Sequence, residues 1–374
     1  MGARTILAPD RGMHLEDYAM VGDTQTLALV ASSGSIDWLC VPRFDSGACF
    51  AALLGSPANG RWLVAPRSAP TQTRRHYRQN TLILETEFDT PEGSVRLVDF
   101  MPMRVQNPVL VRIVEGVEGS VPMHFELVVR YDYGSTLPWV RRLDGRLHMV
   151  AGPDRLVLDT PVEHRGEGLT TVGEFQVHAG DRVPFVLTWS PSHEAPPKSP
   201  EPSQALEDTE RAWQKWTTAC SDRGEYREPI VRSLITLKAL TYAPSGGIVA
   251  AGTTSLPEAL GGVRNWDYRY CWLRDSTFTL YALLHGGYVD EASAFRDWLL
   301  RAVAGDPAKL QNMYGVLGER RLEEYELDWL PGYEDSRPVR VGNGAVHQLQ
   351  LDVYGEVMDT FYLALSSGIP ANTP

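Results

Sequence analysis

Apolar residues in the first half of the chain fall into short blocks of four to nine, each bounded by turn residues. TLALVA (26–31) and SIDWLCV (35–41) read as strands, and the Ser-Ser-Gly between them is a hairpin signal. TLILETEF (81–88) and SVRLVDFM (94–101) flank Thr90, Pro91, Glu92 and Gly93, a second hairpin. PVLVRIVEG (108–116), MHFELVVRYD (123–132), RLHMVAG (146–152), RLVLDT (155–160) and RVPFVLTW (182–189) continue the series. No helix-period segment interrupts them. Many short strands with turns between them predict an antiparallel sandwich.

The pattern changes at SPSHEAPPKSPEPSQ (190–204), where proline, serine and charge predict a linker or extended crossing segment. Helical periodicity follows. The predicted helices are 207–221, 229–242 with Pro229 in its first turn, 276–287 stopped by Gly286 and Gly287, 291–304 with Asp290 as N-cap, and 347–368 ended by Gly368. The division expected is a β-sandwich domain over 13–190, a linker and connecting helix over 191–225, and a helical domain over 226–374. Residues 243–273 and 305–346 are far longer than the usual ~2–8-residue helix connection. They also carry the densest aromatic and charged residues, so they are where function is expected.

Composition narrows the classes. The 374 residues are 43% hydrophobic and 22% charged, an ordinary globular balance, and the formal charge is −12. Such a chain repels phosphate backbones, so no nucleic acid partner is expected. No apolar run approaches a membrane span, and the first twenty residues lack the basic start and apolar core of a leader. A cytoplasmic location without membrane contact is the expectation. The four cysteines are scattered without zinc spacing, and no acidic cluster has calcium-loop spacing, so no metal and no cofactor is expected. Ten Trp and fifteen Tyr are the unusual counts. Flat aromatic faces suit cores, and they also suit sugar rings.

The run Asn265-Trp-Asp-Tyr-Arg-Tyr-Cys-Trp-Leu-Arg-Asp275 sets large aromatics between polar groups, just ahead of a helix. Asp275 is either a helix cap or a sugar ligand, and Arg274 either a surface ion-pair member or its companion in a pocket. Paired Arg and Asp supply donors and acceptors to adjacent hydroxyls, and an aromatic ring covers the apolar face of a pyranose. Here the sequence resembles glycoside hydrolase family 15, the glucoamylases, glucodextranases and bacterial trehalases. Tyr268, Trp272, Arg274 and Asp275 are similar to that family's first sugar-binding motif. GDTQTLALVASSGSIDWLCVPRFDS (22–46) and GRW (60–62) resemble the N-terminal β-domain of its trehalase-like branch, and residues 314–359 resemble a second catalytic-domain block.

The resemblance implies a multidomain β + α fold, an N-terminal antiparallel β-supersandwich followed by an (α/α)6 barrel. It implies inverting hydrolysis of an α-glucosidic bond, with a general acid and a general base ~6.5–9.5 Å apart. It also implies substrate contacts by Tyr268, Trp272, Arg274 and Asp275; Trp266 and Asp267 beside them either belong to the rim of the substrate site or pack in the scaffold. Trp329, Arg337 and Arg340 either reach the sugar or hold their loop. Gly342, Asn343, Gly344, Gln348 and Asp352 read as an architectural loop-to-helix junction. Five predicted helices are fewer than a barrel's twelve, and no segment matches the family's acid or base block. No catalytic residue is therefore assigned, the barrel is expected to be incomplete, and helix faces that missing hairpins would cover are expected to be bare. Glu319, Glu323, Glu324, Glu326 and Glu334 read as a solvated loop face or as ion-pair partners of nearby arginines. The expected substrate is trehalose or a short α-glucan, cleaved by the parent family but not by this chain. The alternative is a non-catalytic carbohydrate-binding protein or a decayed fragment. Self-association into a homo-oligomer is left open.

Overall fold

A computed structural model describes residues 13–370. The expected lack of a leader rests largely on residues 1–12, and the last of the expected helical domain on 371–374; both lie outside the described residues.

Among the described residues, fifteen strands build the N-terminal β-domain. They are β1 (Tyr18–Gly22), β2 (Leu27–Ala31), β3 (Ser35–Cys40), β4 (Ala48–Phe50), β5 (Arg61–Pro66), β6 (Gln72–Tyr77), β7 (Leu84–Thr90) and β8 (Gly93–Phe100). Then come β9 (Val109–Val128), β10 (Trp139–Leu143), β11 (Arg146–Ala151), β12 (Asp154–Asp159), β13 (Arg165–Glu167), β14 (Thr170–His178) and β15 (Arg182–Pro191). All pairings are antiparallel. One layer runs β1-β2-β3-β5-β9-β14-β13, and the other β6-β7-β8-β9-β15-β12-β11-β10.

β9 belongs to both layers. Its first half pairs with β8 and β15, its second with β5 and β14. The pattern predicts two strands here, 108–116 and 123–132. The structure has one strand of 20 residues, because the polar stretch between them changes layer rather than reversing. Gly119 sits at that crossing with φ +69°, and a Cβ there would lie 2.3 Å from the Glu92 carbonyl oxygen.

The interior of the sandwich is apolar, with Trp62, Phe125 and Phe185 in edge-on contact. β3 is buried at every position. A shift of register between the Val30–Ile36 and Leu29–Trp38 pairs breaks the alternation, so that Ile36 and Leu39 enter the sandwich while Trp38 and Cys40 join the core of the helical region. The β2–β3 hairpin is therefore a shared wall.

The helical region holds α1 (Pro202–Thr218), α2 (Arg227–Ala239), α3 (Leu273–His285), α4 (Val289–Ala302) and α5 (Asp352–Ser366) among the described residues. α1 starts inside the segment expected to be a linker. Pro202 occupies its first turn, and the Glu201 carboxylate caps Ser203 and Gln204 at 3.0 and 2.6 Å. Ala205 and Leu206 then pack on the β-domain, and Arg146 and Arg155 hold the Pro197 and Glu194 carbonyls. The proline-rich segment is thus bound to the sheet over its length rather than free.

Candidate sugar-binding site

Two short ladders set the site. Cys271 and Trp272 pair with Tyr314 and Met313, which brings the second long connection onto the first. Asn265–Asp267 pairs with Thr254–Pro257. The Tyr268 and Tyr270 carbonyls accept the amides of Ala251 and Ala250, both at 2.9 Å. α3 begins directly at Leu273, with Trp272 at its N-cap and no side-chain cap. The expected helix start at 276 is corrected by three residues, so Arg274 and Asp275 lie in the first turn. Asp275 is not the cap. It sits where the helix dipole favours a negative charge.

The Arg274 guanidinium lies 5.6 Å from the centre of the Trp272 ring. It reaches Asp275 at 3.7 Å and Asp352 at 3.2 Å, and Gln350 accepts from it at 3.4 Å. The Tyr268 and Trp272 rings stand 6.2 Å apart at 45°. The three charged side chains are open to solvent, at 42%, 48% and 43% exposure for Arg274, Asp275 and Asp352. Trp272 is buried beneath them, and its Nε1–H, like Oδ1 of nearby Asn312, has no protein partner. Burial raises the Tyr268 phenol above its ordinary range, and the carboxylates of Glu258 and Asp275 add to this, so its hydroxyl stays protonated near neutrality. The arrangement is an aromatic floor carrying one cation and two carboxylates, which can both donate to and accept from neighbouring hydroxyls.

Four sequence-selected residues meet here: Tyr268, Trp272, Arg274 and Asp275. Asp352 and Gln350 join them. Asp352 reaches Arg274 where only a loop-to-helix junction was expected, because the first turn of α5 faces the first turn of α3. The sequence signal was an acid opening a helix, and that alone does not point to a distant arginine.

Four other residues are placed elsewhere. Asp267 is corrected from the rim to the interior. It is fully buried, and Arg269 holds both its oxygens at 2.9 and 2.7 Å, leaving no carboxylate edge for a hydroxyl. Trp266 lies under the Arg340 guanidinium, 4.5 Å from its ring centre. Arg340 also donates to the Val263 and Asn265 carbonyls and pairs with Glu324 and Glu326, so it holds the loop. Trp329 donates its N–H to the Tyr133 carbonyl at 3.0 Å, at the seam with the β-domain. Glu319 pairs across the same seam with Arg43 at 3.1 Å, and Glu334 lies 3.5 Å from His14. Gly342 and Asn343 bind Asp267 through a backbone amide and a side-chain amide. Among the described residues, no group of three or more His, Cys, Asp or Glu is placed to hold a metal ion.

Sequence comparison gives this geometry its context. The trehalase-like N-terminal family matches residues 2–213, and the glycosyl hydrolases family 15 matches residues 224–373. The chain belongs to glycosyl hydrolase family 15, with a trehalase-like N-terminal domain. Its relatives include a trehalase of Mycolicibacterium smegmatis, 36% identical over 94% of this chain and 57% of that protein. Trehalase 1 of Sulfolobus acidocaldarius is 33% identical over 93% of this chain and 60% of its own length. The chain therefore spans a little over half the length of these relatives. Among solved structures, a bacterial glucoamylase complexed with acarbose superposes with a TM-score of 0.55 at 12% identity, covering 82% of this chain and 52% of that one. At that identity the likeness establishes a shared fold: a large antiparallel β-domain followed by helices.

Proposed function

We propose that this family-15 chain carries the sugar-gripping part of an α-glucoside site, and that trehalose or a short α-glucan occupies it. The observation that carries the reading is the convergence of Tyr268, Trp272, Arg274 and Asp275 at the exposed N-terminus of α3, with Asp352 closing the far side of Arg274. The names of the relatives favour trehalose. The parent reaction is inverting hydrolysis, which needs an acid and a base on opposite faces of the bond. Asp275 and Asp352 are both engaged by one guanidinium and suit the binding of hydroxyls instead. The 374-residue chain is thus read as binding an α-glucoside without cleaving it. Four buried free thiols suit the reducing cytoplasm proposed for it.

The test is calorimetric titration of the chain with trehalose, maltose and isomaltose, while glucose release is followed in parallel. Binding of at least one disaccharide without release is expected. Asp275→Ala removes the carboxylate acceptor, and the loss of one charge-assisted hydrogen bond, roughly 1.5–3 kcal/mol, should lower affinity about ten- to hundredfold. A loss below about threefold would remove Asp275 from direct contact. Sustained glucose release by the pure chain would overturn the binding-only reading.

A further inference from the structure

Asp267 and Arg269 are both completely buried, in a segment whose neighbours Tyr268, Trp272, Arg274 and Asp275 form the candidate site. All five guanidinium donors of Arg269 are used. Nε and Nη2 hold the two oxygens of Asp267 at 2.9 and 2.7 Å. The remaining donors cross to the β-domain: the Tyr133 hydroxyl at 2.7 Å, the Ser46 carbonyl at 2.9 Å, the Phe44 carbonyl at 3.3 Å and Cys40 Sγ at 3.4 Å. Asp267 turns the other way. It accepts from the Gly342 amide at 3.2 Å, and its carbonyl accepts from Asn343 at 2.9 Å. Three stretches of chain therefore meet on one ion pair: the 43–46 loop of the β-domain, the 265–275 segment, and the 342–343 turn that leads to Asp352.

A buried pair of this kind is a costly way to obtain stability, since desolvation offsets much of its attraction; its best-attested use is to impose one register. Arg269 suits that use, because its planar fork fixes direction as well as charge. With residues 267 and 269 pinned inward, the alternation of an extended chain turns Tyr268 to the other side, toward Trp272.

We infer that Arg269 is a positioning residue through which the β-domain sets the sugar-binding segment in place, so that this domain takes part in recognition without touching the ligand. The inference rests on the α-glucoside reading for its ligand, but its geometry can be tested separately.

The experiment uses the full chain and three variants. Tyr133→Phe deletes one acceptor of Arg269 and keeps the ring. Arg269→Lys keeps the charge and loses the fork. Arg112→Lys makes the same change in an equally buried pair, Arg112 with Asp99 at 2.7 Å, which lies wholly within the β-domain. Amide hydrogen exchange is read over residues 265–275 and 342–343, and trehalose affinity by calorimetry. Tyr133→Phe and Arg269→Lys should speed exchange in those two stretches and weaken trehalose binding about three- to tenfold. Arg112→Lys should lower the melting temperature and change neither. Unaltered exchange in Tyr133→Phe overturns the proposal, and that variant remains informative if Arg269→Lys does not fold. Equal acceleration in Arg112→Lys overturns it too, as does faster exchange with unchanged affinity. A wild-type chain that binds no disaccharide overturns the α-glucoside reading instead, and the exchange data still decide the positioning role.

Discussion

Burial alone would raise the Glu291 carboxyl. The Lys238 ammonium at 2.9 Å, with hydrogen bonds from Trp216 and Lys238, outweighs it and holds the group below the ordinary carboxylate range. The sign of the linkage follows. A carboxyl whose folded pKa is depressed stabilises the fold fully above its unfolded value, near ~4.3, and loses that contribution as pH falls through the folded value. Glu291→Gln should therefore lower the melting temperature at pH 6 to 7, and the gap from wild type should close as the medium is taken toward pH 3. Thermal melts across that range check this; a gap that widens in acid would refute it. The same scale shows what a sequence conveys about single side chains. The clustering of Arg274 and Asp275 with Trp272 was legible because they stand beside aromatic rings in a recognisable run. Asp267 was misread from the same run, because its neighbour two positions on, Arg269, claims it only once both are buried.

α5 has two apolar faces. Val353, Leu363 and Ala364 are buried, while Leu351, Tyr354, Met358, Tyr362 and Leu365 recur at intervals of three and four along the outside. Met358 and Tyr362 are 67% and 68% exposed, and Phe278 on α3 is 65% exposed. A helix apolar all round is normally covered all round. The bare face expected from the helix count is present among the described residues. It should cause concentration-dependent association of this chain. Sedimentation velocity should show association that falls in a Met358→Lys, Tyr362→Lys double variant. The melting temperature of that variant should move little, since exposed substitutions usually change stability by under about 0.5 kcal/mol. Elements with strong periodicity, such as β3, β8 and the body of α3, were legible. β6 was not: its sequence QTRRHY is polar and no position is fully buried. It is a strand because β7 pairs with it, with Arg74 bound to Asp89 and near Glu87.

At the scale of the whole molecule, the β-domain and the helices share one apolar core. Trp38, Phe44, Leu54 and Tyr133 from the first pack in the same cluster as Trp213, Ile235, Leu280 and Trp298 from the second. Trp38 also donates to the Gly252 carbonyl at 2.8 Å. The two parts should unfold in a single calorimetric transition. Trp38→Ala should reduce stability by roughly 3–5 kcal/mol, the usual cost of emptying an aromatic core site, and lower the transition temperature without splitting the transition. Two resolved transitions in the wild type would show that the shared core does not couple them. The sequence by itself determined the order of strands then helices, the apolar faces, the aromatic–charged run and the family, because each is written in local periodicity or in contiguous motifs. The tertiary structure decided that β9 spans both layers, that the proline-rich segment is held to the sheet by Arg146 and Arg155, that Asp352 faces Arg274, and that Arg269 ties the site to the β-domain. Each of these depends on contacts between residues tens to hundreds of positions apart, and nothing in local spacing encodes which distant partner a buried charge or a polar strand will find.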